Sequence, residues 1–533
     1  MFKNIIKYIR NQKSKQNVKF EKSEYKDQAY LLSKSIDTNI SNLKKIFGKS
    51  DDLIFREFNF GVKKQIKAFI CCIDGLVDKK VVLDNILKSL MVDIHIIDEK
   101  GKLVEKSNLF NDLKKYILTN IDADEVRFFN DAINSILSGN ACLLIDGSNV
   151  GFSIKAQGEI TSGNEQATNE IGIRGPRVTF VESLRTNTSM LRKIIKNPDL
   201  KFESFVLGKK TRTDISIAYI SEIANTKIVE EVRNRLSRIN IDSVLESGYI
   251  EQLIEDSSFS PFATVGNSER PDKVAAKLLE GRVAIICDGT PVVLTVPYMF
   301  IEAFQVPDDY YSRMFNTNIL RLVRFIGFVI TLTLPAVFVA ITTFHQEMIP
   351  TILLIKLTAA REGVPFPVLL EVLMTETIFL LIRESGIRMP RATGSAVTIV
   401  GTLVMGDAAV NAGLIGAPLV IVTALSGITG FILPAIYNAI VIYKYFLIIM
   451  GGSFGLYGVV IGLLCILAHM CSLRSFGTPF LAPLAPTFWS ELKDTLIRFP
   501  IWFMRRRPQS TTWKKSNRQA YFQKPGLRKR KGG

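Results

Sequence analysis

Two stretches of the chain alternate apolar and polar positions in the same way. SGNACLLIDGSNVGFSI (138–154) carries its apolar residues up to Asp146-Gly147 and resumes them beyond. That pattern predicts a β-hairpin, because an Asp-Gly pair accepts the positive φ angles of a tight two-residue turn. EGRVAIICDGTPVVLTV (280–296) aligns with it without a gap, 142 residues on (280 minus 138), and shares four of seventeen positions. The order of elements ahead of each hairpin is shared as well. QIKAFICCI (65–73) and DISIAYISEI (214–223) predict strands, while 79–91 and 226–239 have the apolar period of amphipathic helices. Two related α/β subdomains, 52–156 and 176–312, account for the repetition; convergent hairpins on unrelated sheets are the alternative.

Between the two copies, 157–175 is polar and Gly-containing and reads as a linker. GIRGPR (172–177) lacks the following helix with a Lys-Ser/Thr pair that a phosphate loop needs, so nucleotide binding is disfavoured. Residues 182–196 predict a basic amphipathic helix whose Arg185, Arg192 and Lys193 solvate one face or meet an acidic partner, solvation being the default. Two strands then meet at Gly208-Lys209-Lys210.

The pattern changes at Phe325. FIGFVITLTLPAVFVAITTF (325–344) is twenty residues without a charge, enough to cross a hydrocarbon core of about 30 Å as a helix. Arg313, Arg321 and Arg324 precede it, so the soluble region is expected on the cytoplasmic side. Pro335 is tolerated in a membrane span. Asp407 is the one charge between Ala392 and Tyr443, and Tyr445 to Leu473 has none beyond His469. Glycines four apart (Gly451/Gly455, Gly458/Gly462) permit close helix approach. Two segments are unusual. Residues 349–360 are short and carry Lys356; 366–383 hold Glu371 and Glu376 among leucines, and are expected to break, re-enter or lie at the interface. Glu376 and Arg383 share a face and are expected to pair across neighbouring subunits. The whole predicts an α/β cytoplasmic region of two related subdomains followed by an α-helical multi-pass transmembrane domain (313–485). A basic, partly disordered arm (1–51) precedes it and a basic cytoplasmic tail (486–533) follows, which requires an even number of crossings, four being preferred.

Charge is confined to the ends. The formal charge of +17 divides into +6 over residues 1–22 (seven Lys/Arg, one Glu) and +11 over 505–533 (eleven Lys/Arg, no acid), leaving zero between. A nucleic-acid-binding core is excluded by that balance; arms lying on anionic membrane lipid, or merely solvated, fit it. Phe2, Ile5, Ile6 and Ile9 form one face among lysines and suit an interfacial foot. The six cysteines show no C-x-x-C spacing and read as buried small hydrophobes in a reducing compartment, and the three histidines (His95, His345, His469) are scattered. No catalytic constellation, metal site or cofactor is indicated, so the chain is not expected to be an enzyme.

GSAVTIVGTLVMGDAAVNAG (394–413) carries the candidate chemistry. As a helix it places Ser395, Thr398 and Thr402 on one face and Val397, Val400 and Val404 on the opposite one, ahead of Asp407. Small polar residues with an acid at one end suit a cation path, and a ring of valines suits a gate that closes by expelling water. Only a ring of subunits makes such a pore; a packed small-residue helix with Asp407 hydrogen-bonded at a turn explains the pattern equally.

RGPRVTFVESLRTNTSMLRKIIKNPDL, SSFSPFATVGNSERPDKVAAKLLEGRVAIICDGTPVVLTVPYMF, PDDYYSRMFNTNILRLVRFIGF and REGVPFPVLLEVLMTETIFLLIRESGIRMPRATGSAVTIVGTLVMGDAAVNAGLIGAP resemble the A subunit of the GerA-type spore germination receptors; with their neighbours they span roughly 52–485. The spore stage V paralogues share most of these blocks. Val178-Thr179 stands where that family usually has Glu-Gly. The resemblance implies a nutrient-sensing receptor in the spore inner membrane, with a permease-like B subunit and a lipoprotein C subunit. It implies an A subunit that oligomerises, as a pentamer, into a ligand-gated cation channel that triggers germination. Carried onto this chain, it makes Val397, Val400 and Val404 the gate candidates and Asp407 the mouth charge. A non-conducting scaffold and a secondary transporter are the alternatives.

Overall fold

Ser35 and the apolar positions Ile36, Ile40, Leu43 and Phe47 start the first repeat earlier than the expected boundary at residue 52. They form helix α1 (Ile36–Phe47), whose four apolar residues bury against Phe69 and Cys71. The computed structural model describes residues 31–60, 66–93, 123–158, 170, 172–389, 406–512 and 516–519. Two compact units divide the chain, 1–160 with 196–198, and 161–195 with 199–533.

In the first unit α1 is followed by β1 (Leu53–Phe60), β2 (Ile66–Ile73), a π-helical stretch Val82–Asp93, β3 (Ala123–Val126), α2 (Phe129–Leu137), β4 (Ala141–Ile145) and β5 (Gly151–Ile154). The sheet order is β1-β2-β4-β5-β3, every pair antiparallel. β2 and β4 are central and buried on both faces, so they read as unbroken apolar runs. Alternate residues serve two cores: Phe69, Cys71 and Ile73 meet α1 and α2, while Ala68, Ile70 and Cys72 meet Val82, Ile86 and Leu90.

The second unit repeats the plan with α3 (Leu184–Ile194), β6 (Leu200–Leu207), β7 (Thr213–Ile220), α4 (Thr226–Arg238), α5 (Ser247–Ile254), β8 (Gly266–Ser268), α6 (Pro271–Leu279), β9 (Val283–Cys287) and β10 (Val293–Val296). Its sheet order, β6-β7-β9-β10-β8, matches the first position for position. The match extends to side chains. Asn39 Nδ2 donates to Ser33 O (2.7 Å), and Asn187 Nδ2 donates to Val181 O (2.6 Å), each tying the lead-in to its helix.

The Asp-Gly pairs do not form two-residue turns. Five residues, 146–150 and 288–292, separate the paired strands, and only the glycines have positive φ (Gly147 83°, Gly289 84°). The reason lies in the aspartates. Asp146 Oδ1 accepts the Ile36 N–H (3.2 Å) and Asp288 Oδ1 accepts the Leu184 N–H (2.9 Å), so each loop widens to hold the N-terminus of the repeat's first helix, whose early N–H groups lack partners in the helix. α3 also departs from the solvated face expected of it. Arg192 is 1% exposed and its guanidinium lies 5.1 Å from the Phe202 ring centroid. GIRGPR is likewise engaged by protein: the Ile173 N–H donates to Asp308 Oδ2 (2.8 Å), and Gly175 packs on the Tyr311 ring.

Among the described residues five longer helices follow: α7 (Met314–Phe344), α8 (Thr351–Ala359), α9 (Val368–Arg388), α10 (Ala417–Gly430) and α11 (Tyr437–Ser472). Met314–Phe344 and Pro434–Ser472 are long and apolar enough to cross a membrane. Within α11, Gly455 has φ 65° and ψ −149°, and there the helix turns back on itself. A β-carbon on Gly462 would sit 2.5 Å from Leu447 Cδ2, and one on Gly458 would meet Met450 O. In a straight helix positions 447 and 462 lie about 22 Å apart, so the halves on either side of Gly455 form an antiparallel hairpin. Phe344 and His345, at the end of α7, pack on its tip. α9 runs from that tip, where Leu369 meets Gly452, toward Tyr437, where Arg383 stacks on the ring. α10 runs parallel to α9, with Gly416 beside Glu371 and Gly427 against Phe379.

The chain then returns to the second sheet rather than trailing away. The Phe300 N–H donates to Phe480 O (2.9 Å), Ser475 Oγ donates to Thr264 O (2.6 Å), and Thr511 Oγ1 donates to Glu280 O (2.7 Å). Residues 474–485, expected within the transmembrane domain, and 486–512, expected as tail, thus pack on the second subdomain. The foot at residues 2–9 lies outside the described residues.

Candidate functional site

Where the second sheet leads into α7, charge is buried. Lys277 of α6 and Arg282, just before β9, converge on Glu302 of the 3-10 turn Phe300–Phe304, at 3.1 and 2.9 Å. Lys277 Nζ also donates to Thr295 Oγ1 of β10 (2.9 Å). Burial alone would raise the Glu302 carboxyl, but Arg282 and Lys277 beside it hold it below its usual range. Burial pushes the Lys277 ammonium down to about 8. A second cluster lies one turn on. Asp309 is 2% exposed and takes Arg321 Nε (2.9 Å) and Arg324 Nη1 (2.8 Å), both from α7. Asp494, from the returning segment, takes Arg321 Nη1 (2.8 Å) and the Tyr310 hydroxyl (2.8 Å). Arg498 donates to the Asp309 and Ser312 carbonyls. Arginine suits these positions because its planar fork serves several acceptors at once. The first turns of α7 are therefore fixed to the subdomain and to the returning chain by charge that is costly to leave unpaired.

Further along the helices, α9 is one continuous helix of 21 residues in which Glu371 and Glu376 are both matched within the chain. Glu371 Oε1 accepts the Gly416 N–H (2.6 Å) at the N-terminus of α10, where the helix dipole favours an anion, and Oε2 lies 3.3 Å from Arg361 Nε. Glu376 is 2% exposed and pairs with Lys444 of α11, itself 3% exposed, at 2.5 Å. Within the chain Glu376 and Arg383 do not pair with each other. Arg383 instead covers the Tyr437 ring, 3.3 Å from its centroid. A break or re-entry was expected because an isolated charge at mid-bilayer costs about 2.5–3.5 kcal/mol; a partner on the neighbouring helix removes that reason. Lys444 was overlooked because it sits between Tyr443 and Tyr445 in a wholly apolar run. A lone lysine there is the signal that an acid faces it.

Ser395, Val397, Thr398, Val400, Thr402 and Val404 lie outside the described residues. Asp407 is exposed in a helical turn (406–411), and the nearby Gly413 packs against Gly363. Asp407 makes no ion pair among the described residues. Cys71, Cys72, Cys142 and Cys287 are buried as expected of small hydrophobes, whereas Cys465 and Cys471 are exposed on the second half of α11. His469 Nε2 meets Ser260 Oγ at 3.0 Å. Among the described residues no group of three or more His, Cys, Asp or Glu is placed to hold a metal ion.

The Bacillus/Clostridium GerA spore germination protein family matches residues 41–510. This chain belongs to that family. Spore germination protein KA of Bacillus subtilis (strain 168) is 42% identical over 94% of this chain and 91% of its own length. Spore germination protein GerLA of Bacillus cereus is 34% identical over 88% of this chain and 94% of its own length. The crystal structure of the N-terminal domain of the A subunit of the Bacillus megaterium spore germinant receptor GerK3 aligns with 51% of this chain and 98% of that domain, at 37% identity and a TM-score of 0.41. The GerA match spans both sheets, all five helices and the returning segment to Ser510.

Proposed function

We propose that the chain is the A subunit of a nutrient-sensing germination receptor in the spore inner membrane, and that copies of it assemble around an axis into a ligand-gated cation channel. The family match over 41–510 carries the receptor reading. The bundle itself supports a membrane role. α7 starts at the second subdomain, α11 ends there, and the Gly455 turn lies beside the far end of α7. An even number of passes follows, with both basic ends on the subdomain's side. Among the described residues α7, α9, α10 and the two halves of α11 make five candidate passes, and an even total supports six where the apolar runs alone suggested four.

The segment 394–410 then supplies the pore, with Val397, Val400 and Val404 as gate and Asp407 as the charge at the mouth away from the subdomain. Asp407, exposed and without an ion pair among the described residues, supports that role. A permease-like B subunit and a lipoprotein C subunit are the partners the reading implies. Recording across a planar bilayer from the purified full-length chain is the test. Discrete cation currents whose open probability rises when Val400 becomes Ser bear the reading out; assembled but silent protein favours a non-conducting scaffold.

A further inference from the structure

The returning segment between Leu484 and Arg506 sorts its side chains by charge. Its two acids turn inward: Glu491 accepts the Gln509 N–H (2.6 Å) and Asp494 is held by Arg321 and Tyr310. Of its bases Arg498 also turns inward, onto the Asp309 and Ser312 carbonyls, whereas Arg506 is exposed and Lys493 half-buried, and several large apolar groups turn outward. Trp489 is 81% exposed, Ile497 58% and Ile501 52%. Lys493 Nζ lies 4.9 Å from the Phe503 ring centroid, and Lys493 and Arg506 have no acidic partner among the described residues. Burial, followed by repulsion from Arg506 and Arg505, lowers the Lys493 pKa.

The segment is also fixed at one height. The Arg498 N–H donates to Asn318 Oδ1 (2.8 Å) in the first turns of α7, where Phe315 and Ile319 are exposed. Ile497, next to Arg498, is thereby held beside the first turns of a helix proposed to cross the bilayer. Tryptophan and basic side chains flanking an apolar stripe are what the interface between acyl chains and headgroups selects.

We propose that this segment is an interfacial platform for anionic phospholipid, with Trp489, Ile497 and Ile501 seated among the upper acyl chains and Lys493 and Arg506 holding the headgroup phosphates. The proposal rests on the membrane reading of α7 and adds a lipid-selective surface on the subdomain's side.

The test uses the full-length chain in bilayers. Trp502→Phe and Trp513→Phe leave Trp489 as the one tryptophan. Its emission should be quenched by phosphatidylglycerol brominated near the headgroup more than by the same fraction of equally brominated phosphatidylcholine. Lys493→Gln or Arg506→Gln should each lower that preference about fivefold, the effect of one basic residue at an anionic surface. Equal quenching by the two lipids overturns the proposal. So does unquenched emission, whether red-shifted as in water or blue-shifted as beneath another protein. A Val329→Trp chain lacking the three native tryptophans separates the two readings. Val329 is exposed on α7 and should be quenched by lipid brominated deep in the chain. If Val329→Trp is quenched and Trp489 is not, the platform alone fails; if neither is quenched, the membrane reading fails.

Discussion

The two sheets differ most where they should be most alike. At equivalent places, 142 residues apart, the first has Ser135, Asn140 and Ser153 and the second has Lys277, Arg282 and Thr295. In the first, Ser135 Oγ and Ser153 Oγ share a hydrogen bond (2.5 Å) and Asn140 Nδ2 donates to Ser153 Oγ (3.3 Å), a neutral cluster complete in itself. In the second, cations stand at two of the three places; Arg282 meets the neighbouring Glu280 (2.6 Å), and the acid that Lys277 and Arg282 share is Glu302, beyond the sheet on the chain leading into α7. A self-contained polar cluster has become one that needs the root of the helices to be neutral. The second copy is thereby committed to the helical region in a way the first is not.

The sharpest way to break that comparison is to remove the shared acid. Glu302→Ala strands Lys277 and Arg282 without their common partner and should cost about 3–5 kcal/mol, whereas Ser153→Ala in the first copy should cost about 1 kcal/mol. Denaturant titration of the full chain reads both; equal losses would mean that the charges do not distinguish the copies.

Alkaline pH should reverse the ranking. Burial raises Cys71 well above its usual value, Cys72 to about 11 and Cys142 to about 12, all in the first sheet. The unfolded thiols ionise near 9 while the folded ones stay protonated, so the folded state binds more protons and stability falls as pH rises through 9. Three such thiols amount to about 4 kcal/mol by pH 10. In the second sheet Cys287 acts in the same direction, but Lys277 opposes it, since a folded pKa of about 8 leaves the unfolded state binding more protons up to about 10.5. Hydrogen exchange, corrected for its intrinsic rate, should show the first sheet loosening before the second.

Lys444→Met extends the comparison into the helices. It leaves Glu376 alone and should destabilise the bundle by about 3 kcal/mol, with most of that loss recovered in Lys444→Met/Glu376→Leu. No recovery would mean that the pair is not a unit. Smaller still, Asp146→Ala and Asp288→Ala should each cost about 1 kcal/mol, because both remove one cap from an equivalent helix. A large difference between those two would undo the claim that the copies share their framework.

Apolar runs made the strands β2, β7 and β9, the helix α4 and the span in α7 legible, because burial on both faces, or on one helical stripe, leaves a local trace. The Asp-Gly pairs signalled the right place but the wrong turn, since the partner that widens each loop, the N-terminus of α1 or α3, lies more than a hundred residues away in sequence. The periodic stretch up to Phe47 marks α1 as a helix of the arm but not as part of the first sheet's core, because the burial of its four-residue apolar stripe depends on β2. The ion pairs were hidden for the same cause. Glu376 and Lys444 are separated by 68 residues and Arg321 and Asp494 by 173, so no window along the chain contains both members. Arg192 looked solvated because its charge is plain in the sequence and the Phe202 ring beneath it is not.

The central claim is that α7 and the α11 hairpin cross a membrane from a root in the second subdomain, with the Gly455 turn on the opposite side. It is tested most directly by thiol labelling of the full-length chain in sealed vesicles of known orientation. With Cys465→Ser and Cys471→Ser as background, an impermeant maleimide should reach Phe454→Cys only from the face opposite the subdomain and Arg474→Cys only from the subdomain's own face. Labelling of both positions from the same face would contradict the account.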